Sequence, residues 1–180
     1  ACEHARRLQP RMMGVIYWQI NDIWPCASWS SIDVFGRWKA LHYLAKRFFA
    51  PLLVSVVEDV GVHMMAVHVS NHRPRAAVPE VAWWLTTLDG DEVAGGEHVC
   101  EVPAQANLEA LVIDCNAQVT DYGERGLLFW ARLTEGDTLV SSSLQTFVRP
   151  KHLELREPQF SVAVEASSPG VFVLDIGASK

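Results

Sequence analysis

A chain of 180 residues, 49% hydrophobic and 20% charged, has the balance of a folded globular protein, with room for one full domain plus a remnant or for two small ones. Its longest apolar run, Met12 to Trp18, falls well short of the roughly 18 to 20 residues of a membrane span, so no membrane partner is expected. The net charge of −6 hides an asymmetry: residues 1–50 hold seven Lys or Arg against three acids and residues 51–180 hold eight against eighteen, and with no basic stripe a nucleic-acid partner has little electrostatic support.

The opening Ala1-Cys2-Glu3-His4-Ala5-Arg6-Arg7 is neither an initiator nor a signal peptide and reads as a start in the middle of something. Residues 1–9 are predicted to end a helix, with Arg6 and Arg7 in its last turn and Pro10 stopping it. Met12 to Ile20 is predicted to be a strand. Its apolar run (Val15, Ile16, Tyr17, Trp18) gives way to Gln19, Asn21 and Asp22, the pattern of a buried parallel strand that delivers polar side chains at its C-terminal end. A Trp-rich connection follows over 21–36, and ordered loops of that length usually carry function. Trp38, Leu41, Leu44, Ala45 and Phe48 then repeat at helical spacing, predicting a helix over Arg37 to Phe49 that Pro51 ends. Helix end, strand, loop and helix make one unit of an α/β fold, which needs neighbours on both edges of its strand.

From Leu52 the pattern becomes β. Predicted strands cover Leu53 to Glu58, Val62 to Ser70, Glu80 to Leu88, Glu97 to Val102, Leu108 to Cys115, Gly126 to Leu133 and Leu139 to Arg149. Turn signals separate them, among them Asn71-His72-Arg73-Pro74, Gly95-Gly96, Asp121-Tyr122-Gly123 and Glu135-Gly136-Asp137. Seven short strands point to an antiparallel β-sandwich of immunoglobulin-like type, without the Cys, Trp, Cys signature of true immunoglobulin domains. Trp83 and Trp84 are expected on opposite faces, one in the core and one outside. After Pro150 the pattern resumes with Leu153 to Leu155, Gln159 to Glu165 and Val171 to Ile176, too few strands to close a second sandwich: either the opening of another β domain or strands donated to the first.

The four cysteines lack metal-type spacing, and Cys100 and Cys115 are either paired or, the commoner case, small buried thiols. His68 and His72 are four apart, but Ser70, Asn71 and Pro74 put them on a strand running into a turn rather than on one helix face. No metal or other cofactor is expected.

The run Tyr17-Trp18-Gln19-Ile20-Asn21-Asp22, the later Ser28-Trp29-Ser30-Ser31, the helix Trp38-Lys39-Ala40-Leu41-His42-Tyr43 and the exit Phe49-Ala50-Pro51-Leu52 resemble, in that order, the end of the catalytic barrel in β-mannosidases of glycoside hydrolase family 2. The resemblance is specific over about forty positions and weak beyond them. It implies a mainly β protein: an immunoglobulin-like antiparallel β-sandwich (51–150) preceded by the last βα unit of a (β/α)8 barrel (1–50) and followed by a truncated β domain (151–180). It also implies that Trp18 is the floor of the sugar subsite at the cleavage point, with Asn21, Asp22 and Trp24 lining or bracing the pocket. A pyranose has a face of C–H groups and a rim of hydroxyls, which suits a flat indole below and amides or carboxylates around it. Without the motif Trp18 would sooner be core than site, and Asp22 is as well suited to bracing the loop as to touching sugar. Trp24, Trp29 and Trp38 are each expected to pack the loop against the barrel or the sandwich sooner than to touch sugar.

The implied partner is a β-mannoside or manno-oligosaccharide, with location open among the bacterial cytoplasm, the periplasm and the lysosome. Retaining glycosidases need two carboxyl groups about 5 to 5.5 Å apart. In the family one is a Glu after Asn and the other a Glu after Ser and before Phe-Gly, and none of the twelve glutamates here meets either condition. The chain is therefore expected to be inactive alone, and, with the strand edges of Gly14 to Ile20 unpaired, residues 1–50 are expected to be disordered, refolded onto the sandwich or buried by self-association. Two other readings stay open: a sister glycosidase acting on β-galactosides or β-glucuronides, and a non-catalytic sandwich that binds carbohydrate or protein through Trp83 or Trp84.

Overall fold

Short β-rich runs follow one another from Leu52 onward, and in the computed structural model, which describes residues 1–59 and 61–179, they become two packed antiparallel sheets. One has the order β1 (Leu52–Asp59), β2 (Met64–Asn71), β5 (Ala106–Asp114). The other runs β4 (Glu92–Val99), β3 (Glu80–Thr87), β6 (Leu127–Glu135), β7 (Thr138–Thr146). Leu52, Val54 and Val56 on β1 and Met65, Val67 and Val69 on β2 point inward and meet Val81, Leu85, Leu127, Phe129 and Leu133 from the opposite sheet. Val54 N–H donates to Ser141 Oγ at 3.2 Å, tying β1 to β7 across one open side. This is the mainly β, immunoglobulin-like sandwich that the strand pattern implies.

Trp83 and Trp84 divide as the alternation requires. Trp83 lies against the core, parallel to Phe129 with ring centroids 5.9 Å apart. Trp84 faces outward and stacks on its cross-strand partner Trp130, at 6.2 Å, with the Arg132 guanidinium 5.3 Å above it.

Several sequence expectations need correction. Gly95-Gly96 is not a turn: both residues lie within β4, paired with Trp84 and Trp83, and the predicted strand Glu97 to Val102 is therefore displaced to Glu92–Val99. The reason is steric. A Cβ at Gly96 would sit 3.0 to 3.2 Å from the Trp83 indole, so the strand approaches that ring only without a side chain. Gly96→Val is expected to cost about 1–3 kcal/mol, read as a lower urea midpoint. An unchanged midpoint would show that the ring gives way freely.

Asp121 and Tyr122 belong to a short helix, α3 (Asn116–Tyr122), rather than to a turn. Leu153 to Leu155 forms no strand, while β8 (Gln159–Ser168) and β9 (Val171–Ser179) make a separate two-stranded sheet. Its register puts Val162 opposite Ile176 and Val164 opposite Leu174, so one face is apolar, and those side chains are exposed. Cys100 and Cys115 are free, buried thiols in the sandwich core. Burial, with Asp114 and Glu58 adding to it, pushes the Cys115 thiol up to about 12. A thiol reagent at pH 8 should accordingly titrate Cys26 and Cys2 in the native protein and reach the other two only in denaturant. Fast modification of all four would contradict the buried placement.

The first fifty residues fold as α1 (Cys2–Arg7), a long loop and α2 (Ala40–Phe48). Met12 to Ile20, predicted as a strand, runs without a sheet ladder, and Ile16 on it is 94% exposed. Its pattern belongs to a strand with neighbours on both edges, and none of the described residues supplies them. The helix starts three residues later than predicted because Trp38 bridges Ile32 and Lys39 is still extended (φ −86°, ψ 166°). Among the described residues no helix is long and apolar enough to cross a membrane.

Candidate functional site

Between α1 and α2 the loop is closed by short backbone bridges. Asn21 pairs with Ile32, and Ile32 with Trp38. Ile32 N–H donates to the Ile20 carbonyl (2.8 Å), Asp22 N–H to the Ile32 carbonyl (2.9 Å) and Lys39 N–H to the Ser31 carbonyl (2.9 Å). Three stretches distant in sequence, around residues 20, 31 and 38, are thereby laid side by side.

Side chains complete the closure, centred on Asp22. Its carboxylate is 2% exposed; Oδ2 accepts from Lys39 Nζ at 2.7 Å and Oδ1 from Ser28 Oγ at 2.5 Å. Lys39 Nζ also donates to Ser30 Oγ (2.7 Å), which donates in turn to the Ile32 carbonyl (3.0 Å). A second node lies at Ser31. Its hydroxyl donates to the Ile20 carbonyl (2.9 Å) and accepts from Tyr17 Oη (3.0 Å) and His42 Nδ1 (3.2 Å). Tyr17 also packs edge-on against Phe48 at 6.3 Å. The motif pieces Trp-Gln-x-Asn-Asp, Ser-Trp-Ser-Ser and Trp-Lys-x-Leu-His-Tyr are therefore three parts of one hydrogen-bonded frame.

The Lys39 ammonium first and the Ser28 hydroxyl second hold the Asp22 carboxyl down at about 2, against an ordinary value of 3.8. A carboxylate depressed in the folded state stabilises the loop above about pH 4 and loses that contribution as the pH falls toward 2. The carbon-13 titration of the Asp22 carboxyl should show a midpoint near the lower value, and Lys39→Met should move it up. A midpoint at the ordinary value in the unsubstituted chain would break this account.

On this frame stand the aromatic side chains. Trp18 is 72% exposed and Trp24 65%, while Asn21 is exposed with its side-chain amide donating to the Asp22 carbonyl (3.2 Å). Trp29 and Trp38, expected to pack, are exposed too, although Trp38 lies against His42 with ring centroids 4.6 Å apart. Of the four predicted site residues, Trp18, Asn21 and Trp24 present themselves to solvent, and Asp22 lies beneath them with both oxygens engaged. Ser28, Ser30 and Lys39 escaped the sequence reading as site supports. Serines in a loop and a lysine ahead of a helix look like ordinary solvated residues, and only their convergence on Asp22 gives them a role. Among the described residues no cluster of His, Cys, Asp or Glu is arranged to hold a metal ion.

A three-on-four antiparallel sandwich behind a carboxylate-braced, tryptophan-rich loop defines an immunoglobulin-like β-sandwich protein with an exposed aromatic surface. The chain belongs to the Mannosidase Ig/CBM-like domain family, whose model matches residues 63–152. β-Mannosidase of Mus musculus is 60% identical over 50 residues, which is 28% of this chain and 6% of that protein. β-Mannosidase A of Aspergillus terreus is 36% identical over 173 residues, covering 88% of this chain and 18% of the relative. The chain thus spans less than a fifth of the length of these curated relatives. The crystal structure of β-D-mannosidase from Dictyoglomus thermophilum superposes with a TM-score of 0.77 at 23% identity, over 98% of this chain and 21% of that one, a likeness of fold.

Proposed function

We propose that this chain is the C-terminal part of a retaining β-mannosidase that removes terminal, non-reducing β-D-mannose from β-mannosides, with residues 1–50 as the end of its barrel, 51–150 as a sandwich and 151–180 as the opening of a further β domain. The observation that carries this reading is the frame around Asp22, which joins the three motif segments and leaves the Trp18 indole uncovered. Trp18 then forms the subsite floor, Asn21 and Trp24 its rim, and Asp22 the brace that fixes their spacing. Both catalytic carboxyl groups come from outside residues 1–180, and the chain alone is inactive.

The assay compares p-nitrophenyl β-D-mannoside and β-D-galactoside as substrates of this chain and of a longer protein that includes it. The expected result is no turnover by the chain and selective turnover of the mannoside by the longer protein. Turnover by the chain itself, or preference for galactoside, sinks the proposal. The non-catalytic binding-module reading is less well supported, since one face of Trp84 carries Arg132 and Trp130 stacks beside it.

A further inference from the structure

At the junction of α1 with the sandwich, away from the Asp22 frame, lies a buried cation that faces no anion. Arg6 is 3% exposed. Its Nη1 donates to the Phe48 carbonyl at the end of α2, at 2.7 Å, while Nε and Nη2 are buried and have no hydrogen-bond partner among the described residues. Those two nitrogens form the outer edge of the guanidinium plane, the edge that receives both oxygens of a carboxylate side by side.

Arg6 lines a cavity of about 170 Å³ whose walls include Met12, Met13 and Phe49, with His72 as the other residue on it that has a polar side chain. His72 Nε2 is likewise buried and unpartnered. Among the described residues no carboxylate forms an ion pair with Arg6. Glu3, one turn earlier on α1, acts on it only through space. Burial draws the guanidinium down to about 10, so it remains charged at neutral pH. A buried, charged fork with an apolar surround is a costly arrangement unless an anion completes it.

We propose that Arg6 and His72 form a carboxylate-recognition site between the helical segment and the β2–β3 turn. The carboxylate accepts from Nε–H and Nη2–H of Arg6 and, in the Nε2–H tautomer, from His72. Its chemistry is the same whether it comes from a small free acid or from an Asp or Glu side chain of a polypeptide.

The test titrates the unsubstituted chain at pH 7 with sodium acetate, and separately with N-acetylglutamate α-methylamide, against sodium chloride at equal ionic strength. Two signals are followed: Tm, and the nitrogen-15 resonance of the Arg6 Nε–H. Saturable movement of that resonance and a rise in Tm of roughly 2–4 °C with a carboxylate but not with chloride is the expected result. Tighter binding of acetate marks a free acid as the source, and tighter binding of the glutamate analogue marks a side chain. Arg6→Lys keeps the charge but loses the fork and should weaken binding at least tenfold. No movement of the Arg6 resonance, or the same movement with chloride, overturns the proposal whether or not the variant folds.

Discussion

Trp18→Ala in the proposed longer β-mannosidase is expected to lower kcat/KM for an aryl β-mannoside by about 10²-fold, with Trp18→Phe retaining most of the activity. The indole is 72% exposed and its neighbour Tyr17 is tied back to Ser31 and Phe48, so the ring has a fixed base and a free face. Glycoside hydrolysis passes through an oxocarbenium-like transition state, in which the sugar ring gains positive charge. An aromatic face beneath that ring holds the ground state through its C–H groups and gains further attraction as the charge develops. The loss should therefore appear in kcat as well as in KM. A change of twofold or less in kcat/KM would remove Trp18 from the subsite. Reduced activity in Lys39→Met, with Trp18 intact, would show that the frame positions the ring.

Phe129→Ala should lower the unfolding free energy by about 3–5 kcal/mol, and Tm by roughly 10 °C. Phe129 is completely buried as the third residue of β6 and lies parallel to Trp83, among inward-facing residues of both sheets. Truncation leaves a cavity that two hydrogen-bonded sheets cannot close by moving together. Phe160 on β8 is the control: it is 67% exposed, and its replacement by Ala should change stability by no more than about 0.5 kcal/mol. Equal losses at the two positions would place the core elsewhere.

The sandwich was readable because its information is local. Inward residues such as Val67 and Phe129 alternate with less buried ones, and period two is a property of the extended chain itself. The same reasoning failed at Gly95-Gly96. A pair of glycines carries the signal of a turn, and the Trp83 ring that leaves Gly96 no room for a side chain arrives from a neighbouring strand. Met12 to Ile20 failed for a related reason: its composition anticipates neighbouring strands that none of the described residues provides.

The candidate site divides in the same way. The sequence alone determined the aromatic and polar inventory of residues 14–38 and, through its motif order, the resemblance to the barrel end of family 2 β-mannosidases. Only the tertiary structure decided that Trp18 and Trp24 are open to solvent while Asp22 is not. Ser28 and Lys39 reach the Asp22 carboxylate from six and seventeen positions away, and Ser30 holds the Lys39 ammonium, after backbone bridges have brought their segments together. Local propensity sets the direction of a side chain along its own element, whereas a buried charge takes its partners from whatever folding brings within about 3 Å.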